Sequence, residues 1–137
     1  VDIHFFEADV LQIENLNEML KQHFDKFNVT IQDEVKFDII VSNPPYVREQ
    51  EKTEIKNNVL ENEPHLALFV EDNNPLIFYK KIADLATKQL TKNGLLFFEI
   101  NQYLGKETVT MLKEKGFKNV TLKKDIFNND RMIMASL

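Results

Sequence analysis

The spacing of apolar residues divides the chain into short runs that suit strands and longer stretches that suit helices. Ile3, Phe5, Phe6, Ala8 and Val10 predict a short aromatic-rich strand that ends near Asp9. In such a strand Phe5 and Phe6 are expected to be core residues without a functional role. Over residues 14–27, Leu16, Met19, Leu20, Phe24 and Phe27 recur at steps of three and four, forming one helical stripe. Residues 28–35 alternate weakly and read either as a small extra strand or as a loop insertion. Residues 37–41 are almost continuously apolar and rich in branched side chains, the pattern of a strand covered on both faces and central in its sheet.

The second half continues the pattern. Residues 48–64 are densely charged and read as a partly helical excursion over the surface. The clearest helix follows, with Asn74 as its cap and Pro75 in its first turn. Phe78, Tyr79, Ile82, Ala83, Ala86 and Leu90 line its inner face, and Gly94 ends it. Residues 95–100 predict a buried strand, and residues 105–115 a helix with Val109 and Leu112 inward and Gly116 as its stop. "NVTLKKDI" and "RMIMASL", separated by "FNND", suit two antiparallel strands joined by a turn. The sum is an α/β fold: a mostly parallel sheet with a C-terminal antiparallel hairpin, whose right-handed crossovers place helices on both faces.

At 137 residues one domain is expected. The formal net charge of -5 argues against a surface that grips nucleic acid throughout, while leaving room for a local basic strip. The chain has no cysteine, which excludes disulfides, a thiolate nucleophile and cysteine-ligated metal. With no long apolar run and no signal-like start, a cytoplasmic location is expected.

The candidate chemistry lies in "FDIIVSNPPYVRE", residues 37–49. In open α/β sheets ligands bind beyond the carboxyl ends of the strands, where Asn43 stands. Pro44 has a fixed φ, neither Pro44 nor Pro45 carries an N–H, and the second proline keeps the first out of the helical region. The Asn43 side-chain oxygen and the Pro44 carbonyl are therefore two fixed acceptors, a pair that suits a planar NH2 group. Tyr46 adds a flat apolar surface for a conjugated amide or a base. Such a site orients a weakly nucleophilic nitrogen toward an electrophile, so that rate comes from positioning and preorganised dipoles. The bland alternative is a turn after a strand. The apolar strand before the prolines and the tyrosine after them favour the chemical reading.

Other polar residues carry less. Glu63 and His65 read as loop anchors and surface, and His4 and His23 have no spaced partners, so no metal site is expected. Asp125 and Arg131 suit a local salt bridge supporting the hairpin. Glu99, at the carboxyl end of a buried strand, has to find donors or protonate. It is expected either to line the pocket behind Asn43 or to bond backbone amides.

With these features the chain resembles the class I S-adenosylmethionine-dependent methyltransferases that carry an Asn-Pro-Pro-Tyr motif. More narrowly, it resembles the PrmC/HemK family, the protein-(glutamine-N5) methyltransferases of peptide chain release factors. "FDIIVSNPPYV", "ENEPHLALF", "NPLIFYKKI", "GLLFFEI" and "KDIFNNDRMIMA" carry the likeness over nearly the whole chain. The resemblance implies that Asn43 and Pro44 bind the substrate glutamine NH2 while Pro45 and Tyr46 shape the pocket. It also implies that S-adenosyl-L-methionine is the cofactor, met by Asp9 near the adenine and by Asn43, and that release factors are the partners, without stable nucleic acid or membrane.

The chain departs from the family pattern in two ways. Asn128 stands where the closing hairpin often has glycine. No glycine-rich loop follows a first strand, and Gly94, Gly105 and Gly116 are scattered. The likeness starts at the family's third strand. The chain is therefore expected to be the C-terminal portion of a catalytic domain, without the N-terminal recognition domain and the first two strands, and not a competent enzyme alone. The exposed flank of residues 37–41 is then expected to pair with the first strand or with another chain. Two further functions fit the residues: amino-methylation of a base at adenine N6 or guanine N2, or a binding piece without catalysis.

Overall fold

One strand organises the fold. β4 (Leu90–Glu99) runs between β1 (Phe37–Ser42), to which it is parallel, and β6 (Asp130–Ser136), to which it is antiparallel; β5 (Asn119–Lys124) closes the far edge against β6. The resulting four-stranded sheet, in the order β1-β4-β6-β5, is mixed, and its closing hairpin is the antiparallel pair read from the sequence. The computed structural model describes residues 3–31, 33–54 and 64–137. Among the described residues its α-helices are α1 (Leu16–Asp25), the single turn α2 (His65–Leu68), α3 (Ile77–Gln89) and α4 (Gly105–Glu114). A small parallel pair, β2 (Val47–Arg48) with β3 (Phe69–Val70), stands apart from the main sheet.

The core lies on one face of the sheet. Leu96 and Phe98 of β4 sit opposite Ala135 and Ile133 of β6, and this buried row packs against Tyr79, Ile82, Ala83 and Ala86 of α3 and Met111 and Leu112 of α4. The periodicities of α3 and α4 required this face, since three- and four-residue steps put those side chains on one stripe. Burying each large side chain contributes roughly 1.5–3 kcal/mol. The other face keeps Ile39 and Val41 at 59% and 73% exposure, so the core helices α3 and α4 cover one face rather than two.

Several expectations are corrected. Among the described residues β1 is an edge strand, because its one ladder in the main sheet is with β4. Residues 3–9 form no strand, and Phe5 is 86% exposed rather than core. A strand needs a ladder partner, and this segment does not slide against β1; instead Phe6 packs on the His23 ring at a centroid distance of 4.8 Å. The described part of residues 28–35 is loop. α3 begins at Ile77 without a side-chain cap, Asn74 contributing only its carbonyl to the Ile77 N–H. It ends at Gln89 rather than near Gly94 because β4 starts at Leu90, with a register shift opposite residues 37–39. α4 stops at Gly116 as expected, through a positive φ of 98°.

Candidate active site

The Asn-Pro-Pro-Tyr segment leaves the sheet at the carboxyl end of β1. Ser42, the last residue of β1, is in register with Phe98, so Asn43 emerges level with the end of β4. Asn43 is exposed, and among the described residues neither its side chain nor the Pro44 carbonyl has a hydrogen-bond partner. Both acceptors of the expected pair are uncommitted within the fold. Pro44 itself is buried, with Pro45 and Tyr46 half-buried beyond it.

Three cavities meet at this segment. Asn43 and Glu99 line one of about 450 Å³, together with Phe97 and Met132. Pro44 and Pro45 line a largely apolar one of about 470 Å³ on the flank of β1, with Phe6, Val10 and Ile39. Tyr46 borders a smaller one of about 170 Å³ with Glu51, Asn101, Tyr103 and Arg131. The motif thus separates two largely apolar cavities, one of them carrying Asn43 and Glu99 at its rim, from a smaller and more polar one beside Tyr46.

Tyr46 is held inward. Its hydroxyl donates to Glu99 Oε1 at 2.7 Å. Its pKa is pushed up to about 12, first by burial and then by the hydrogen bond and negative charge of Glu99. The hydroxyl therefore stays protonated at neutral pH and acts as a donor, not as a base. Glu99 lies in the cavity behind Asn43 and finds its donor in this hydroxyl, while its own carbonyl accepts from the buried Tyr79 hydroxyl at 3.0 Å.

Sequence reasoning missed a second polar group, Asn101, which is only 4% exposed. Its Nδ2 donates to the Tyr46 carbonyl at 2.9 Å and to Glu51 Oε2 at 2.7 Å, and its Oδ1 accepts from the Tyr103 N–H at 2.9 Å. Glu51, which looked like one more charge of the surface excursion, is buried and ion-paired with Arg48. The signal available for Asn101 was the one used for Asn43, a polar amide directly after an apolar strand.

Asp9 is not brought to Asn43. Its carboxylate accepts from the Leu11 N–H at 3.0 Å, capping a turn, and it borders a different cavity. The glycines are equally committed. A Cβ at Gly94 would stand 2.9 Å from the Phe37 carbonyl, one at Gly105 would stand 2.6 Å from Asp130 Oδ2, and Gly116 serves the turn after α4. None makes a cradle for a nucleoside. The described residues therefore do not fit a complete cofactor seat. Glu63 lies outside the described residues. Among the described residues no group of three or more His, Asp or Glu stands together to hold a metal, and no helix is long and apolar enough to cross a membrane.

An α/β sheet whose first strand exits through Asn-Pro-Pro-Tyr is the arrangement on which the sequence resembles the class I methyltransferases. A family model described as Eco57I restriction-modification methylase matches residues 3–127, and the chain belongs to that methylase family. Its curated relatives narrow the likeness. It is 60% identical over 136 residues to a release factor glutamine methyltransferase of Flavobacterium psychrophilum, covering 99% of this chain and 42% of that protein. A release factor glutamine methyltransferase of Bacteroides thetaiotaomicron is 51% identical over 100 residues, 73% of this chain and 36% of that protein. One of Lactococcus lactis is 48% identical over 98 residues, 71% of this chain and 36% of that protein. The resemblance to glutamine methyltransferases read from the sequence is borne out, and the chain spans about two fifths of the length of the first of these relatives.

Proposed function

We propose that this chain carries the amide-holding side of an enzyme that methylates N5 of the glutamine side chain in the Gly-Gly-Gln motif of peptide chain release factors. The observation that carries the reading is the uncommitted pair of acceptors, the Asn43 side-chain oxygen and the Pro44 carbonyl, at the carboxyl end of β1. A carboxamide NH2 has two donors and a nitrogen lone pair delocalised into its carbonyl. Accepting both N–H groups fixes the amide plane and turns one face of the nitrogen toward the incoming methyl. Pro45 and Tyr46 shape the wall, and the Tyr46–Glu99 hydrogen bond keeps the ring in place. The methyl donor in this reading is S-adenosyl-L-methionine, which when bound supplies an electrophilic methyl group. Asp9 and Asn43 are the residues of this chain proposed to meet it. In this reading the chain corresponds to the C-terminal portion of the catalytic domain.

One observation favours a second reading, methylation of a base amino group: the matching family model is described as a restriction-modification methylase. The names of the relatives weigh toward a protein amide. The net charge of -5 weighs in the same direction, because nucleic-acid binding depends on neutralising phosphates. The test offers a form of the protein spanning the full length of its relatives two acceptors with labelled S-adenosyl-L-methionine, a Gly-Gly-Gln peptide and an adenine-rich single-stranded DNA. Label on the peptide glutamine alone is expected. Label on the DNA alone would replace this reading with the second.

A further inference from the structure

Asn43 and Pro44 are suspended between two anchors, held by β4 and by Asn101 just beyond its end. On one side Ser42 is locked in the parallel ladder opposite Phe98. On the other, Tyr46 is gripped twice: its hydroxyl by Glu99 at 2.7 Å and its carbonyl by Asn101 Nδ2 at 2.9 Å. Only Pro44 and Pro45 lie between Asn43 and Tyr46, and proline fixes φ at each. Fixing both ends of so short and stiff a segment leaves its carbonyls little freedom of direction.

Asn101 is itself over-determined. Its two amide hydrogens serve Tyr46 and Glu51, and its oxygen serves the Tyr103 N–H. A flipped amide would set an oxygen against two acceptors and leave a donor facing another donor. Glu51 is tied in turn to Arg48, accepting from its backbone N–H at 3.1 Å and from Nε at 2.7 Å. A buried network in which each member is satisfied is rigid and specifies one arrangement.

We propose that Asn101 and Glu99 are positioning residues: from the end of β4 and just beyond it they hold Tyr46 by its carbonyl and its hydroxyl, and so aim the Pro44 carbonyl and fix the backbone from which the Asn43 side chain reaches the substrate nitrogen. Neither touches the amide. Glu51, braced by Arg48, keeps the Asn101 amide in its working orientation. The catalytic consequence rests on the proposed function; the clamp itself rests on the hydrogen bonds.

The test has two arms. In the full-length form, Asn101→Ala is expected to lower kcat for peptide methylation by roughly 10- to 100-fold, the penalty of a small misplacement of reacting groups, while KM for S-adenosyl-L-methionine stays near the unsubstituted value. Tyr46→Phe, which keeps the ring and the fold, is expected to lower kcat less and in the same pattern. In the chain itself, nuclear magnetic resonance is expected to show the Asn43 side-chain amide shifted in Asn101→Ala and faster exchange at the Tyr46 and Val47 amides, with the β4–β6 ladder still protected. Should Asn101→Ala not fold, Glu99→Gln replaces it in both arms, with smaller changes in the same direction. Unchanged Asn43 resonances and unchanged exchange would overturn the clamp, as would a fall in kcat that only tracks the unfolded fraction. If the unsubstituted full-length form methylates no amide, the proposed function fails while the resonance arm still decides the clamp.

Discussion

Asn43 and Asn101 are both amides placed just after an apolar strand, yet they do opposite jobs. Asn43 is exposed and uncommitted, whereas Asn101 is buried with its hydrogen-bonding groups occupied. Between them, Tyr46 shows how burial sets chemistry at one residue. Its ordinary pKa near 10 rises to about 12 through burial, reinforced by Glu99. Because the folded value lies above the unfolded one, the stabilisation is complete below about pH 10 and is lost as pH rises through about 12. Tyr46→Phe is expected to lose less of its urea midpoint than the unsubstituted chain between neutral and strongly alkaline pH. Equal losses in the two proteins would show that the hydroxyl is not held in this way.

At the scale of elements, the β5–β6 hairpin depends on one carboxylate. Asp125 Oδ1 accepts from the Phe127 and Asn129 N–H groups at 2.9 and 3.0 Å, and its Oδ2 meets Arg131 Nε at 3.3 Å, the salt bridge expected from the sequence. Asn128 adopts the left-handed geometry of the turn at φ 67°. The backbone N–H of Asn129 is the chief cause that holds the Asp125 pKa below the ordinary carboxylate range, with Phe127 and Arg131 adding to it. A depressed value in the fold means stability that is present above the unfolded carboxylate pKa and lost as pH falls through the folded one. Asp125→Asn keeps an acceptor and loses the charge, so its urea midpoint is expected to fall less than that of the unsubstituted chain on acidification below about pH 4. An identical acid dependence would remove Asp125 from the hairpin's stability.

The same hairpin shows what was legible in the sequence. Alternation in β5 and β6 and three- and four-step stripes in α3 and α4 are local signals, and each produced the element it predicted. What failed was non-local. Residues 3–9 have a strand's composition without a ladder partner, and β1 has a central strand's composition at an edge. Composition reports what a strand is built to touch, not which neighbours it has. In the site, the Asn43–Tyr46 stretch was legible because prolines act locally. The partners of Asn101 and the burial of Glu51 were not, because their contacts with the Tyr46–Arg48 stretch join the end of β4 to the charged excursion across the fold.

At the scale of the whole molecule, the uncovered face and the open edge of β1 dominate. Ile39 and Val41 are exposed, and an open apolar edge invites pairing. In an antiparallel pair of two copies centred on Ile40, Ile39 would face Val41 and Asp38 would face Ser42, with no like charges opposed. The chain is therefore expected to self-associate, and Val41→Lys to shift it toward monomer in sedimentation. A monomer at high concentration without the substitution would refute this.

In the proposed function the acceptor pair joins these scales, since the sheet carries it and the proposed clamp would aim it. The decisive comparison is turnover and S-adenosyl-L-methionine affinity for Asn43→Ala beside the unsubstituted protein, in the form spanning the full length of its relatives. Turnover of a Gly-Gly-Gln peptide is expected to fall by roughly 100-fold or more, far more than donor affinity falls, because one of the two acceptors that orient the nitrogen is gone. Equal turnover with and without Asn43 would contradict the assignment of the Asn-Pro-Pro-Tyr segment as the amide-holding site.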